Sequence, residues 1–428
     1  MEPLRSTPLQ EDFTDIGKHT GRKIKLNVNS EIGKLQAVLL HRPGRELEKL
    51  TPDLLKTLLF DDIPWLKQMR EEHDKFADLL RQRGAEVLYV DQMLSEILED
   101  DAVKDRFVSE LLADALIENE ELREVLFDDI RSRPPREVTE IAIAGLLKKD
   151  IRLPFVEKNL WDYIRKDYPL YIDPIPNIYF MRDPAAVVGD GLSVSRMYTR
   201  ARSREPKIVH YIYNYHPVFE STEKTLWYNE NMPNSIEGGD MLMLSKRTIA
   251  IGCSQRTSPG AIERIARNLF KGREELKEIL AIRIPATRAF MHLDTVFTMI
   301  DYDKFAIYPG ISDQVEVYKL TRGKGGGVHV SSEADLSSAL KRSLRLSAVD
   351  LIPSGGGDAV TAAREQWNDS TNILAIAPSV VVTYCRNERS NEALRRHGVY
   401  VLEIGGSELV RGRGGPRCMS CPLSREDD

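Results

Sequence analysis

The sequence predicts an α/β fold in which five pseudo-repeated units of ββαβ type close around a centre, with an all-helical insertion between the first two. Three observations predict it. A β-branched run, a polar turn and a second run recur five times along the 428 residues, in most copies followed by an amphipathic helix. The copies are spread over almost the whole chain, so residues 1–428 are expected to form a single domain. Between the first and second copies, residues 92–165 replace the strand pattern with helical apolar spacing and crowded acids. Hairpins also occur in α/β proteins without repeats, so the recurrence carries the expectation rather than any one copy.

The first copy is "LQAVLLHRPG", followed by a stretch in which Leu66, Met69, His73, Phe76 and Leu80 recur at helical spacing before the strand-like "EVLYV". In the insertion, Val103, Phe107 and Leu111 fall four apart, and "RSRPPRE" parts two helical stretches. The second copy is "NIYFMRDPAAVVGDGLSVSRM". The third opens on "EGGDMLML" and ends in a helix for which Ser258 is the expected N-cap and Pro259 the first helical residue. The fourth is "HLDTVFTMIDYDKFAIYPG", where strand alternation would set His292 and Asp294 on one face. The fifth is "NILAIAPSVVVTYCRNERSNEALRRHGVYVLEI", with a helix after its hairpin. The glycine-rich "GKGGG" and "SGGGD" lack Walker spacing and read as flexible loops.

Composition narrows the function. Hydrophobic residues at 42% and charged residues at 29% are those of an ordinary globular protein, and a net charge of −6 leaves no basic field for nucleic acid or anionic membranes. No window holds the roughly 18 apolar residues of a membrane span, and the start "MEPLRSTPLQEDFTDIGKH" lacks the apolar stretch of a secretory leader. A cytoplasmic protein is expected. The four cysteines are too few for a disulfide framework. Cys253 and Cys385 stand alone in apolar β-like runs and are expected to be buried structural residues. Cys418 and Cys421 form a CxxC, which is compatible with a redox pair, half a zinc site, or a nucleophile beside a bystander. A zinc ribbon would need a second pair, and a thioredoxin-like pair would open a helix early in a βαβ unit rather than precede Pro422 near the end.

Three copies begin with polar tags: Asp183 in "RDP", Glu237 and Asp240 in "EGGD", and His292 and Asp294 in "HLDT". Each alone has a plain structural explanation, as an ion-paired turn, a glycine turn or a solvent-facing strand. If the repeats close around a centre, the tags share one pocket. Carboxylates raise a neighbouring thiol's pKa, so they suit a thiolate nucleophile only when the substrate is a cation. A guanidinium is such a cation, because its planar fork takes carboxylates bidentately.

Taken together, "FMRDP", "EGGD", "HLDT" and above all "GGPRCMSCP" resemble the arginine deiminase family, within the guanidine-modifying pentein superfamily. The resemblance runs through nearly the whole chain. It implies a five-bladed α/β propeller, a homo-oligomer, no metal or organic cofactor, and hydrolysis of L-arginine to L-citrulline and ammonia through a covalent S-alkylthiouronium. By the same resemblance Cys418 is the nucleophile and Cys421 the bystander. His292 is the general acid and base, Glu237 orients it, and Asp183 and Asp294 grip the guanidinium. Asn177, Arg202, Arg256 and Arg413 match positions that bind the amino-acid end, and Phe180 matches an aromatic beside the aliphatic stem. The competing expectations are a deiminase or amidinotransferase acting on agmatine or methylarginine, and a non-catalytic binding or thiol redox protein.

Overall fold

In the computed structural model, which describes residues 23–115, 117–151, 157–220 and 224–427, one strand pattern is repeated in five sheets. In the second sheet Ala185–Val188 runs antiparallel to Gly191–Val194, which is parallel to Leu226–Tyr228. The third has Met241–Ser245, Thr248–Cys253 and Glu278–Arg283 in the same relation. The fourth has Phe297–Met299, Lys304–Ile307 and Asp350–Pro353, and the fifth Leu374–Ala377, Val380–Tyr384 and Tyr400–Ile404. A parallel partner cannot be reached by a tight turn, so a helix makes each crossover. These helices are Arg204–Tyr215, Pro259–Gly272, Leu336–Leu344 and Glu388–Arg396. Pro259–Gly272 is capped by Ser258, whose hydroxyl accepts the Ala261 N–H, and it buries Ile262, Ile265, Ala266 and Leu269.

The first sheet is completed from the far end of the chain. Leu35–Leu40 is parallel to Glu86–Tyr89, across the helix Leu66–Gln82, and antiparallel to Cys421–Arg425 on its other side. The strand that follows Cys418 is thereby locked into the sheet that begins the chain's strand order, with Leu39 opposite Cys421.

Between the first and second sheets run the helices Val90–Ile97, Asp101–Asp114, Glu120–Ser132 and Pro135–Ala144. Asp100 caps the second of them through the backbone of Ala102 and Val103. Phe107, Leu111, Leu126, Ile130 and Val138 from these helices share one core with Val187 and Leu192 of the second sheet. Residues 116 and 152–156 of this stretch, and the chain's opening stretch read for a leader, lie outside the described residues. Among the described residues no helix is long and apolar enough to cross a membrane.

Several expectations change. "GKGGG" is the turn of a hairpin, Glu316–Arg322 with Val328–Ser332, that widens the third sheet. Its apolar signal is weak because the hairpin's second strand is largely exposed. "SGGGD" is a tight turn into the helix Ala359–Trp367, capped by Asp358. Cys385 is exposed and Cys253 half-buried, since Cys385 falls just past the end of its strand. The "EGGD" and "HLDT" tags are 3₁₀ turns, Gly238–Asp240 and Leu293–Thr295, rather than strand starts, so His292 and Asp294 do not share a strand face.

Candidate active site

Each tag turn directly precedes the first strand of its sheet, and backbone bonds tie the turns together. The Gly238 N–H donates to the Asp183 carbonyl, and the Arg182 N–H donates to the Cys418 carbonyl. Cys418, His292, Glu237, Asp183 and Asp294 are all 3% exposed or less. His292 Nε2 lies 2.7 Å from Glu237 Oε2, and its Nδ1 lies 3.6 Å from Asp183 Oδ1. Cys418 Sγ lies 3.7 Å from Asp294 Oδ2. The structure therefore brings together the five residues expected to act on a guanidinium. Asp240 serves the framework instead: its Oδ1 accepts from the Leu293 N–H and its Oδ2 from the Ser254 hydroxyl.

Gly239 is required by this packing. A Cβ there would come within 2.7 Å of His292 Cγ and 2.9 Å of Asp183 Oδ1. Gly239→Ala is expected to displace the imidazole and lower turnover about 10²-fold, a loss typical of a roughly 1 Å misplacement. Steady-state kinetics alongside a thermal melt check it, and unchanged kinetics would contradict the packing.

Buried carboxylates dominate the electrostatics of this cluster. Asp183 Oδ1 and Asp294 Oδ1 are buried without hydrogen-bond partners. Burial opposes the imidazolium of His292, but Asp183 and the hydrogen-bonded Glu237 outweigh it and push the pKa up to about 9. Glu237 is held down at about 2: burial opposes its charge, and Arg256 and His292 more than offset that. Burial, then Asp294 and Asp183, push the Cys418 thiol well above its ordinary value. A thiolate here needs added positive charge or hydrogen-bond donors.

The residues expected at the amino-acid end divide into two groups. Arg256 and Arg413 are buried, and each leaves Nε and Nη1 without a hydrogen-bond partner. Arg413 has a left-handed backbone (φ 67°), stacks 3.5 Å over the Trp367 ring, and lines a cleft of about 680 Å³ with Trp367, Cys385 and Arg411. Arg202 is instead engaged. It donates to Asp183 Oδ2 at 2.5 Å, to both Glu205 oxygens, and to the carbonyls of Asn177 and Phe180. The Asn177 side chain donates to the Leu58 carbonyl at 2.6 Å. Phe180 is buried, its ring centroid 3.9 Å from that of Tyr179, and a Cβ at Gly414 would collide with it.

Four residues that sequence reasoning passed over complete the surroundings. Arg417, fully buried, pairs with Asp294 at 2.7 Å and with Glu31 at 3.0 Å. Glu205 clamps Arg202, and Asp369, pushed up to about 7 by burial against the pull of Arg413, leaves Oδ2 unpartnered. Asn372 donates to Cys418 Sγ at 3.1 Å. A signal existed for the last two, because "DSTN" precedes the fifth sheet as the tags precede the others. Cys421 is a buried free thiol that donates to the Ala185 carbonyl.

The chain is similar to known proteins over most of its length. Residues 56–425 match the family model for arginine deiminase. Arginine deiminase of Bacillus cereus is 48% identical over 409 residues, covering 95% of this chain and 100% of that one. Arginine deiminase 1 of Staphylococcus epidermidis is 47% identical over 407 residues, 94% of this chain and 98% of its own. An amidinotransferase from Microseira wollei, 14% identical, superposes with a TM-score of 0.57 over 94% of this chain and 98% of that one, which shows a common α/β fold. A dimethylarginine dimethylaminohydrolase, also 14% identical, gives a TM-score of 0.50 over 90% of this chain and 99% of its own. From the family match and these near-full-length identities, the chain belongs to the arginine deiminase family.

Proposed function

We propose that this protein hydrolyses L-arginine to L-citrulline and ammonia through a covalent intermediate on Cys418. The observation that carries the site reading is the pair of buried, unpartnered carboxylate oxygens of Asp183 and Asp294 beside Cys418 and His292. Buried acceptors left without a hydrogen-bond donor are costly, and a planar guanidinium can donate to both.

In the proposed sequence the bound guanidinium stabilises the Cys418 thiolate, which attacks the guanidinium carbon to form a C–S bond. His292 gives its proton to the departing nitrogen, the C–N bond breaks, and ammonia leaves an S-alkylthiouronium. Water then loses a proton to His292 and attacks the same carbon. The C–S bond breaks, the thiolate is restored, the second proton of that water passes to solvent, and citrulline is released. The high pKa of His292 suits the first role, and Glu237 holds the ring through both. The substrate carboxylate is received by Arg256 and Arg413, whose donors without hydrogen-bond partners support that role, with Asn177 at the same end and Phe180 beside the stem. Arg202 acts at this end once the incoming guanidinium competes for Asp183. The cleft lined by Arg413 serves as the entrance.

The repeated sheets support closure into a five-bladed propeller, with 92–165 as an insertion in a single domain. Exposed Leu160, Tyr163 and Ile164 support self-association into a homo-oligomer, and the composition supports a cytoplasmic protein, while the family resemblance implies that no cofactor is needed.

The test is product analysis with L-arginine and, in parallel, agmatine, which lacks the α-carboxylate. Ammonia and citrulline in equal amounts from arginine are expected, with kcat/KM for agmatine lower by about 10²-fold or more, because arginine donors would be left unpaired. Preferential turnover of agmatine would overturn the substrate assignment.

A further inference from the structure

We propose that Asn372 is a catalytic residue whose side-chain N–H solvates the sulfur of Cys418. The inference rests on Cys418 being the nucleophile and adds a group to its immediate surroundings. Asn372 is fully buried in the turn before Leu374–Ala377. Its Nδ2 lies 3.1 Å from Cys418 Sγ, while its Oδ1 accepts the backbone N–H of Cys418 at 2.8 Å and of Gly415 at 3.1 Å. The two acceptor bonds settle the orientation of the amide. Turning it over would face an NH₂ group to two N–H donors and leave the sulfur without one.

The close fit is built in. A Cβ on Gly415 would come within 2.9 Å of Asn372 Cβ and 3.0 Å of its Oδ1, so the nucleophile's loop can lie on this side chain only with glycine there. The Asn372 backbone adds to the hold, donating to the Asp369 carbonyl and accepting from the Arg417 N–H. Chemically the sulfur needs the donor. Asp294, Asp183 and Asp369 all oppose a thiolate, and Arg417, which favours it, is shared between Asp294 and Glu31.

A donor that lowers the thiol pKa by one unit raises the thiolate fraction about tenfold and costs only about threefold in nucleophilicity. It also makes the sulfur a better leaving group when the intermediate is hydrolysed. Both covalent steps gain from the same N–H.

The test is the pH dependence of Cys418 alkylation by iodoacetamide in the full-length protein, read at the Cys418 peptide by mass spectrometry because Cys418 is buried while Cys385 is exposed and reacts with the same reagent. In Asn372→Ala the apparent thiol pKa is expected to rise by about one unit, and kcat to fall about 10²-fold, the usual cost of a lost preorganised donor. Asn372→Asp keeps the shape and both backbone bonds if alanine prevents folding, and there a larger rise is expected. An unmoved alkylation profile in both variants overturns the role, and so does a fall in kcat with the profile unmoved, which assigns Asn372 to loop placement alone. Failure of the nucleophile assignment is read separately: native enzyme that stays active after full Cys418 alkylation overturns that reading instead.

Discussion

Cys418→Ser is expected to abolish citrulline formation, with kcat lower by roughly 10⁴-fold or more, while Cys421→Ser keeps most of it. The two thiols sit three residues apart and are both buried, so burial does not separate them; their neighbours do. Cys418 Sγ faces Asp294 and the Asn372 amide, within the group of residues that includes His292. A serine hydroxyl there ionises far too weakly to attack a guanidinium carbon, and His292, already protonated by its two carboxylates, cannot serve it as a base. Cys421 lies on the strand Cys421–Arg425, donates to the Ala185 carbonyl, and is pushed up to about 11 by burial. Its serine variant keeps a donor for that carbonyl and is expected to change stability by about 1 kcal/mol rather than activity. Ammonia release by both variants under saturating arginine, with melting curves as a control, checks this. Equal losses in the two would sink the nucleophile assignment.

His292→Ala should lower kcat by about 10²–10⁴-fold, the usual contribution of a positioned acid and base. The pH behaviour is more diagnostic. With its pKa raised from 6.5 to about 9, His292 keeps its proton through neutral pH and loses it as pH rises through about 9. A basic limb in kcat/KM near that value is therefore expected. Glu237→Gln removes one of the three charges, those of Asp183, Glu237 and Asp240, that oppose the burial penalty, so the limb should move to lower pH, and kcat should fall as the ring loses its anchor. A limb that stays in place in Glu237→Gln would mean that another group controls it.

Much of the fold was legible because it rests on local periodicity. Leu66 to Leu80 repeats at helical spacing, and Met69, His73, Phe76 and Leu80 are the buried face of that helix. The Ser258–Pro259 start was equally plain, since capping is a contact between near neighbours. The "GKGGG" hairpin was missed because its second strand is mostly exposed and has little alternation to read. The tags were readable as chemistry but misread as strands, because a 3₁₀ turn of three residues is too short for any period to register.

By itself the sequence determined the repeated sheets, the helical stretch after the first of them, and a stock of reactive groups suited to a guanidinium: the two thiols of "GGPRCMSCP", the histidine of "HLDT", and carboxylates at the repeat starts. Only the tertiary structure decided how those groups are partnered. Arg202 spends its fork on Asp183 and Glu205, Arg417 joins Asp294 to Glu31, and Asn372 reaches Cys418 across 46 positions of chain. The reason is physical. Periodicity reports which face of an element is buried, whereas partnering depends on which turns meet when the sheets pack, and a charged residue carries no local mark of the neighbour it will find.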